Sequence, residues 1–299
     1  MTFPTSFRRA LMIIFSASGM ATLAVLPVIC EPAQAVQPTA AAPVRAGAVD
    51  PNAVDPNNTE MGWKNKQLER ESPAMSSLRF TPKGVLGIDV SSHQGKVNWN
   101  RWVARGRTFA YIKATQGTSY RNPYFSAQYG GAYEAGMIRG AYHFANPAGK
   151  SGTKQARYFV AYGGGWSGDG KTLPGVLDIE YNPSGRTCYG LSKKKMVKWV
   201  GAFTVEYKRL TTRDAVIYTT LDWWTRCTGN TTKFSLTNPL WAARWGSRTP
   251  GKLPGAWPNA TFWQFSAKYG SKPQDQNQFI GTPDRLVVLA TGVEPPEEN

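Results

Sequence analysis

The stretch GVLDIE, residues 175–180, decides how this chain is to be read. A short apolar run ends in Asp178 and Glu180, two carboxylates at i and i+2. In a strand these positions point to one face, roughly 6.5–7 Å apart along the backbone. Like charges that close on an otherwise apolar strand are costly unless solvated or used, and each raises the pKa of the other. Residues 175–180 therefore read as a strand that delivers a pair of acids to its end.

Working outward, the same texture recurs on both sides. VLGIDV (85–90), FAYIKAT (109–115) and IRGAYHF (138–144) read as strands, followed by the helical stretches NWNRWVARG, FSAQYGGAYEAG and TKQARYFVAYGG. Downstream, a longer helix is predicted from about Ser192 to Arg209, with Ser192 as its N-cap. Met196, Val200, Phe203, Tyr207 and Leu210 fall at helical spacing on one face of it. AVIYTT (215–220) is a fifth strand, with a short helix at DWWTRC. Beyond it the helices run out: PLWAARW (239–245), TFWQFS (261–266) and the segment around Asp275–Ile280 read as strands between Gly/Pro loops. Five strand–helix units followed by three further strands predict an α/β fold, a single-domain TIM-like β/α barrel incomplete in its helices. An open doubly wound sheet is the alternative.

In a parallel barrel the C-terminal ends of the strands open onto the active-site face. Asp89 lies near the end of the first strand, Asp178 and Glu180 at the end of the fourth, and Asp275, in PQDQNQF, on the last. Taken singly, Asp89 and Asp275 read as turn formers or helix N-caps, and Asp178 with Glu180 as a structural pair. Together they are expected to meet in one solvent-open groove, one carboxyl holding its proton and another ionised. His93 and His143 have no Ser or Cys motif beside them and read as hydrogen-bonding or packing residues.

Composition narrows the classes. Of 299 residues 41% are hydrophobic and 12% aromatic, with 11 Trp, which excludes a disordered chain. Three Cys and two His offer no zinc-ligand spacing, so no metal and no cofactor is expected. The 35 Lys+Arg against 19 Asp+Glu give a net charge of +16 and predict an anionic partner. GWSGDGKT (165–172) satisfies the phosphate-loop pattern formally. A helix precedes it, and Pro174 and a strand follow, so it reads as a glycine-rich connection.

Residues 1–35 read as an export signal: Arg8 and Arg9, an apolar run from Ala10 to Ile29, then Ala33-Gln34-Ala35 as the cleavage pattern. A membrane anchor is the alternative. Residues 36–82, rich in Ala, Pro, Asn and mixed charge, read as a disordered linker or pro-segment. Residues 83–292 form the predicted catalytic domain and 293–299 a polar tail. In a secreted chain, without stable membrane insertion after signal cleavage, Cys188 and Cys227 are predicted to pair.

GIDVSSHQG, FAYIKAT, GAYHF, LDIE, VIYTT, LWAARW, FWQFS and DQNQF occur in an order that resembles glycoside hydrolase family 25 lysozymes, secreted or phage-borne N-acetylmuramidases. The resemblance spans about 84–281. It implies a barrel of five α/β units and three further strands, and hydrolysis of the β-1,4 bond between N-acetylmuramic acid and N-acetylglucosamine in peptidoglycan. The family's acid/base falls on Glu180, its second carboxylate on Asp178, and its further cleft acids on Asp89 and Asp275. Tyr142, Tyr218 and Trp241 match positions that line the cleft. Asp178 then either stabilises the developing positive charge or orients the substrate's own N-acetyl oxygen. The basic surplus would hold such an enzyme near anionic wall polymers, and no nucleic acid is expected. Another glycosidase on this scaffold and a non-catalytic wall-binding protein are the rival classes.

Overall fold

The computed structural model describes residues 58–65, 80–269 and 272–293. The chain divides into Met1–Arg45 and Ala46–Asn299. The first unit, and with it the predicted export signal, lies outside the described residues, as do most of 36–82 and residues 294–299.

The strand–helix alternation holds through the first two thirds. β1 (Val85–Val90), α1 (Trp99–Val103), β2 (Arg107–Gln116), a two-residue β3 (Tyr120–Arg121), α2 (Phe125–Glu134), β4 (Ile138–Phe144), α3 (Gly152–Phe159), β5 (Val176–Asp178), α4 (Lys193–Thr211), β6 (Val216–Thr219) and α5 (Leu221–Thr228) follow in order. β7 (Leu240–Ala243), β8 (Phe262–Tyr269) and β9 (Lys272–Phe279) come next. Side-chain caps start the helices where the sequence supplies them, including Asn98 for α1, Ser151 for α3, Ser192 for α4 and Thr220 for α5. A further helix, α6 (Pro283–Thr291), follows where none is expected from hydrophobic periodicity. Its signal is local: Thr282 caps it, Pro283 starts it and Asp284 sits in its first turn.

Eight strands close a barrel in the order β1-β2-β4-β5-β6-β7-β8-β9, with β9 returning to β1, while β3 folds back on the end of β2. The open doubly wound alternative is thereby excluded. Within the barrel all neighbours are parallel except that β9 runs antiparallel to both β8 and β1, and β3 outside it is antiparallel to β2. A wholly parallel barrel is thus corrected at one strand, because β8 and β9 are joined too closely for a crossover. The inversion matters for Asp275. It lies early in β9, and the antiparallel register sets it opposite Asp89, on the rim where the other strands end.

Alternation along each strand sorts the side chains into two cores. Outside the barrel, Leu177, Ile217, Leu240 and Ala242 pack against Phe159, Met196, Val200, Phe203 and Tyr207 of the helices. Inside, Phe109, Tyr111, Trp241, Phe262 and Phe279 form an aromatic floor. Tyr111 and Phe262 lie 5.0 and 5.5 Å from Trp241 between ring centroids. Such tilted aromatic contacts add to the burial energy. Cys188 and Cys227 form a disulfide that ties the loop before α4 to α5.

Candidate active site

Above the aromatic floor the barrel interior turns polar. β5 contributes Asp178 as its last residue; one step further, Ile179 N donates to the Tyr218 carbonyl at 3.0 Å. The backbone is thus still pinned to β6 where Glu180 begins, and the i, i+2 rule turns both carboxylates inward. Asp89 Oδ2 accepts from Asn277 Nδ2 at 2.7 Å and from Gln264 Nε2 at 3.0 Å. Gln264 in turn accepts from the Tyr218 hydroxyl at 2.7 Å and from Trp245 Nε1 at 3.1 Å. A continuous network therefore runs from β1 and β9 through β8 to β6.

All four predicted acids reach one place. The Tyr218 hydroxyl is pushed well above its ordinary pKa, first by burial and then by Glu180, Asp178, Asp89 and Asp275. Tyr142 is raised in the same way by burial, Asp89, Asp178 and Asp275. Burial also drives the Asp178 carboxyl well above the usual carboxylate range; Glu180 adds to this and the Lys113 ammonium opposes it. Among the described residues no N–H or hydroxyl donor reaches either Asp178 oxygen, and its carboxyl is left to pair with that of Glu180. This is the setting in which a carboxyl keeps its proton near neutrality. Trp241, the third aromatic position, lies in the floor beneath, edge-on to Tyr218 at 5.5 Å.

The acids are not open to solvent. Asp89, Asp178, Glu180 and Asp275 are each 0–2% exposed. What stands over them is a piece of the stretch between the predicted signal and the barrel. Gly62 N donates to Glu180 Oε1 at 2.6 Å, Thr59 N to Gln116 Oε1 at 2.9 Å, and Trp63 Nε1 to the Tyr181 carbonyl at 3.1 Å.

Several participants escape sequence reasoning. Lys113 is fully buried and donates to Gln116 Oε1 at 2.6 Å, to Asn58 Oδ1 at 3.1 Å and to the Thr59 carbonyl. A lysine inside the apolar FAYIKAT strand is the signal that marks it, since a buried ammonium needs partners. Gln264, between the aromatics of FWQFS, carries the same kind of signal. Both histidines have hydrogen-bond partners. His93 Nδ1 lies 2.9 Å from Ser91 Oγ. His143 sits outside the barrel between Thr115 and Gln155, at 2.7 and 2.9 Å, stacked on Phe203. The 165–172 loop is closed on itself, with Asp169 accepting from Lys171 N at 2.8 Å and Thr172 Oγ1 at 3.0 Å.

Cleavage between sugars needs one carboxyl that gives a proton and another that meets the positive charge left behind. A barrel that holds two such groups at i and i+2, one of them raised by burial, has the construction of a glycoside hydrolase. Residues 88–273 match the model of Glycosyl hydrolases family 25, and the chain belongs to that family. It is 54% identical over 211 residues to Lysozyme M1 of Streptomyces globisporus, covering 69% of this chain and 71% of that one. To the N,O-diacetylmuramidase of Chalaropsis sp it is 49% identical over 212 residues, 70% of this chain and all of the other. Among solved structures, the bacterial lysozyme from Streptomyces coelicolor superposes with a TM-score of 0.70 at 51% identity, over 72% of this chain and 100% of that one.

Proposed function

We propose that this chain is an exported muramidase that hydrolyses the β-1,4 bond between N-acetylmuramic acid and N-acetylglucosamine in peptidoglycan. Glu180 protonates the leaving glycosidic oxygen and then accepts a proton from the incoming water. Asp178, whose carboxyl is held in the protonated form by burial and by Glu180, supports the oxocarbenium-like centre by orienting the N-acetyl group of the substrate. Asp89 and Asp275 shape the cleft from the opposite wall, and Tyr142 and Tyr218 offer hydroxyls to the sugar. Residues 1–35 direct export, 83–292 carry the reaction and 293–299 are a polar tail. The observation that carries this reading is the meeting of four acids, delivered by β1, β5 and β9, around Tyr218. Relatives named lysozyme and N,O-diacetylmuramidase support the choice of glycan.

Release of soluble fragments from purified walls, wild type beside Glu180→Gln, tests the assignment. The variant should lose about 10²–10⁴-fold of the rate with its fold intact, and the new reducing ends should be N-acetylmuramic acid. Near-wild-type release by Glu180→Gln, or N-acetylglucosamine reducing ends, would refute it.

A further inference from the structure

Residues 58–65 do more than lie near the acids; they use the groups that a sugar would need. Gly62 N–H is spent on Glu180 Oε1, at 2.6 Å. The Thr59 carbonyl and the Asn58 amide oxygen take two of the hydrogen bonds of the buried Lys113. Asn58 Nδ2 reaches Ser92 beyond β1, and Thr59 N reaches Gln116 at the end of β2. Met61 is wholly buried in the cluster that holds Tyr142, Tyr218 and Trp241. The segment thus bridges β1, β2 and the β5 end across the barrel mouth, with the Met61 side chain down and the Gly62 amide on the reacting carboxylate.

The fit is close enough to constrain residue type. Gly62 has φ +73°, and a Cβ there would stand 2.8 Å from Gln264 Oε1, 2.9 Å from Trp245 Cζ2 and 3.1 Å from the Tyr218 hydroxyl. Left-handed backbone and a Cβ-free approach both select glycine. The surrounding sequence has none of the periodicity of a packed element, so these contacts belong to docking rather than to folding of the segment on its own.

We propose that residues 58–65 are a built-in inhibitor: they occupy the glycan cleft in the intact chain, which is latent until the segment is cut away from the barrel. The proposal rests on the assignment of Glu180 and its neighbours as the reacting groups. The tether explains how so few contacts suffice. A segment joined to β1 by a short connection has a local concentration in the millimolar range, and cutting the connection removes that advantage. A glycan polymer presenting many sites can then displace it.

The test keeps the whole chain from residue 36 onward and inserts a recognition site for a sequence-specific protease between Glu71 and Ser72. Wall digestion is measured before and after the cut, on the same preparation. Hydrogen exchange at the Gly62 amide is followed in the uncut chain, and Gly62→Val and Met61→Asp are assayed uncut. The cut should raise the digestion rate on the order of tenfold or more, and both variants should approach the cut rate without it. The Gly62 amide should be protected in the uncut wild type. Equal rates before and after cutting together with uncut variants at the wild-type rate, or a Gly62 amide that exchanges like an exposed one, would overturn the inhibitor. A protected Gly62 amide with no digestion even after cutting would instead support the docking and overturn the muramidase reading.

Discussion

Asp89 and Asp275 stand directly opposite each other across the antiparallel β1–β9 ladder, at the rim of the barrel. Two carboxylates so placed repel unless donors are spent on them, and Asp89 Oδ2 receives two amides, from Asn277 and Gln264. Asp89→Leu leaves those buried amides without their acceptor, whereas Asp89→Asn can still present an oxygen and loses only the charge. Denaturant unfolding should therefore show a loss of about 1–3 kcal/mol for Asp89→Leu and a smaller one for Asp89→Asn. Equal midpoints for both variants would count against the network.

Asp178 sets up a pH dependence with an unusual sign. Its carboxyl is raised in the folded protein, chiefly by burial and then by Glu180. Between the unfolded and folded pKa values the native state binds more protons, so this group stabilises the fold at low pH and costs stability as pH rises through its folded pKa. Asp178→Asn removes that cost and offers Glu180 a donor. The variant should melt above wild type at neutral pH, with the difference shrinking toward about pH 4, while wall digestion falls steeply. A melting difference independent of pH would refute the burial of charge.

His143 acts in the opposite direction over an overlapping range. Gln155 spends its amide hydrogens on the Asn146 and Lys150 carbonyls, so its Oε1 accepts from His143 Nε2 and leaves Nδ1 to accept from the Thr115 hydroxyl. Burial lowers the ring pKa to about 4. The unfolded chain takes the proton first, so stability is full above about pH 6.5 and is lost as pH falls toward about 4. The contribution amounts to about 3 kcal/mol. His143→Gln should flatten the acid limb of the stability curve measured by denaturant midpoints; an unchanged slope would show that another group titrates there.

The parts legible in sequence are those fixed by short-range rules. Val85–Val90 and Ile138–Phe144 coincide with the predicted strands. Ser192 caps α4 as read, because a hydroxyl before an amphipathic stretch is a local signal. The i, i+2 spacing of Asp178 and Glu180 already implied a shared face. The reversal of β9 is not written in the residues of the strand; its one signal is the short connection after TFWQFS, too short for a crossover. Lys113 and Gln264 stand out as polar residues inside apolar strands, but their partners, and the cover formed by Thr59–Trp63, lay beyond reach. Each acquires its role from a contact between residues more than 50 apart in the chain.

The Cys188–Cys227 bridge spans a sequence separation of 39 residues. Closing a loop of that length in the unfolded chain contributes about 4 kcal/mol on the entropic account. Reduction, or the double variant Cys188→Ser with Cys227→Ser, should lower the thermal midpoint by several degrees, about the shift expected for a loss of that size in a domain of this length. Because the bridge sits outside the barrel, beside α4 and α5, wall digestion below the midpoint should change little. A large loss of activity without a loss of stability would place the bridge in the cleft wall.

The basic surplus allows a final separation of binding from chemistry. With 35 Lys+Arg against 19 Asp+Glu, the chain carries a long-range positive field. Bacterial walls that bear phosphate polymers present the opposite charge, and attraction between the two is screened over about 8 Å at physiological salt. Proton transfer from Glu180 takes place within hydrogen-bond distance and is insensitive to such screening. Digestion of intact walls should therefore slow as salt rises above physiological strength. Walls stripped of their phosphate polymers should be digested at a rate that depends far less on salt, because only the carboxylates of the glycan and its peptides remain to attract the enzyme. Identical salt curves for the two substrates would assign the charge to solubility rather than to substrate capture.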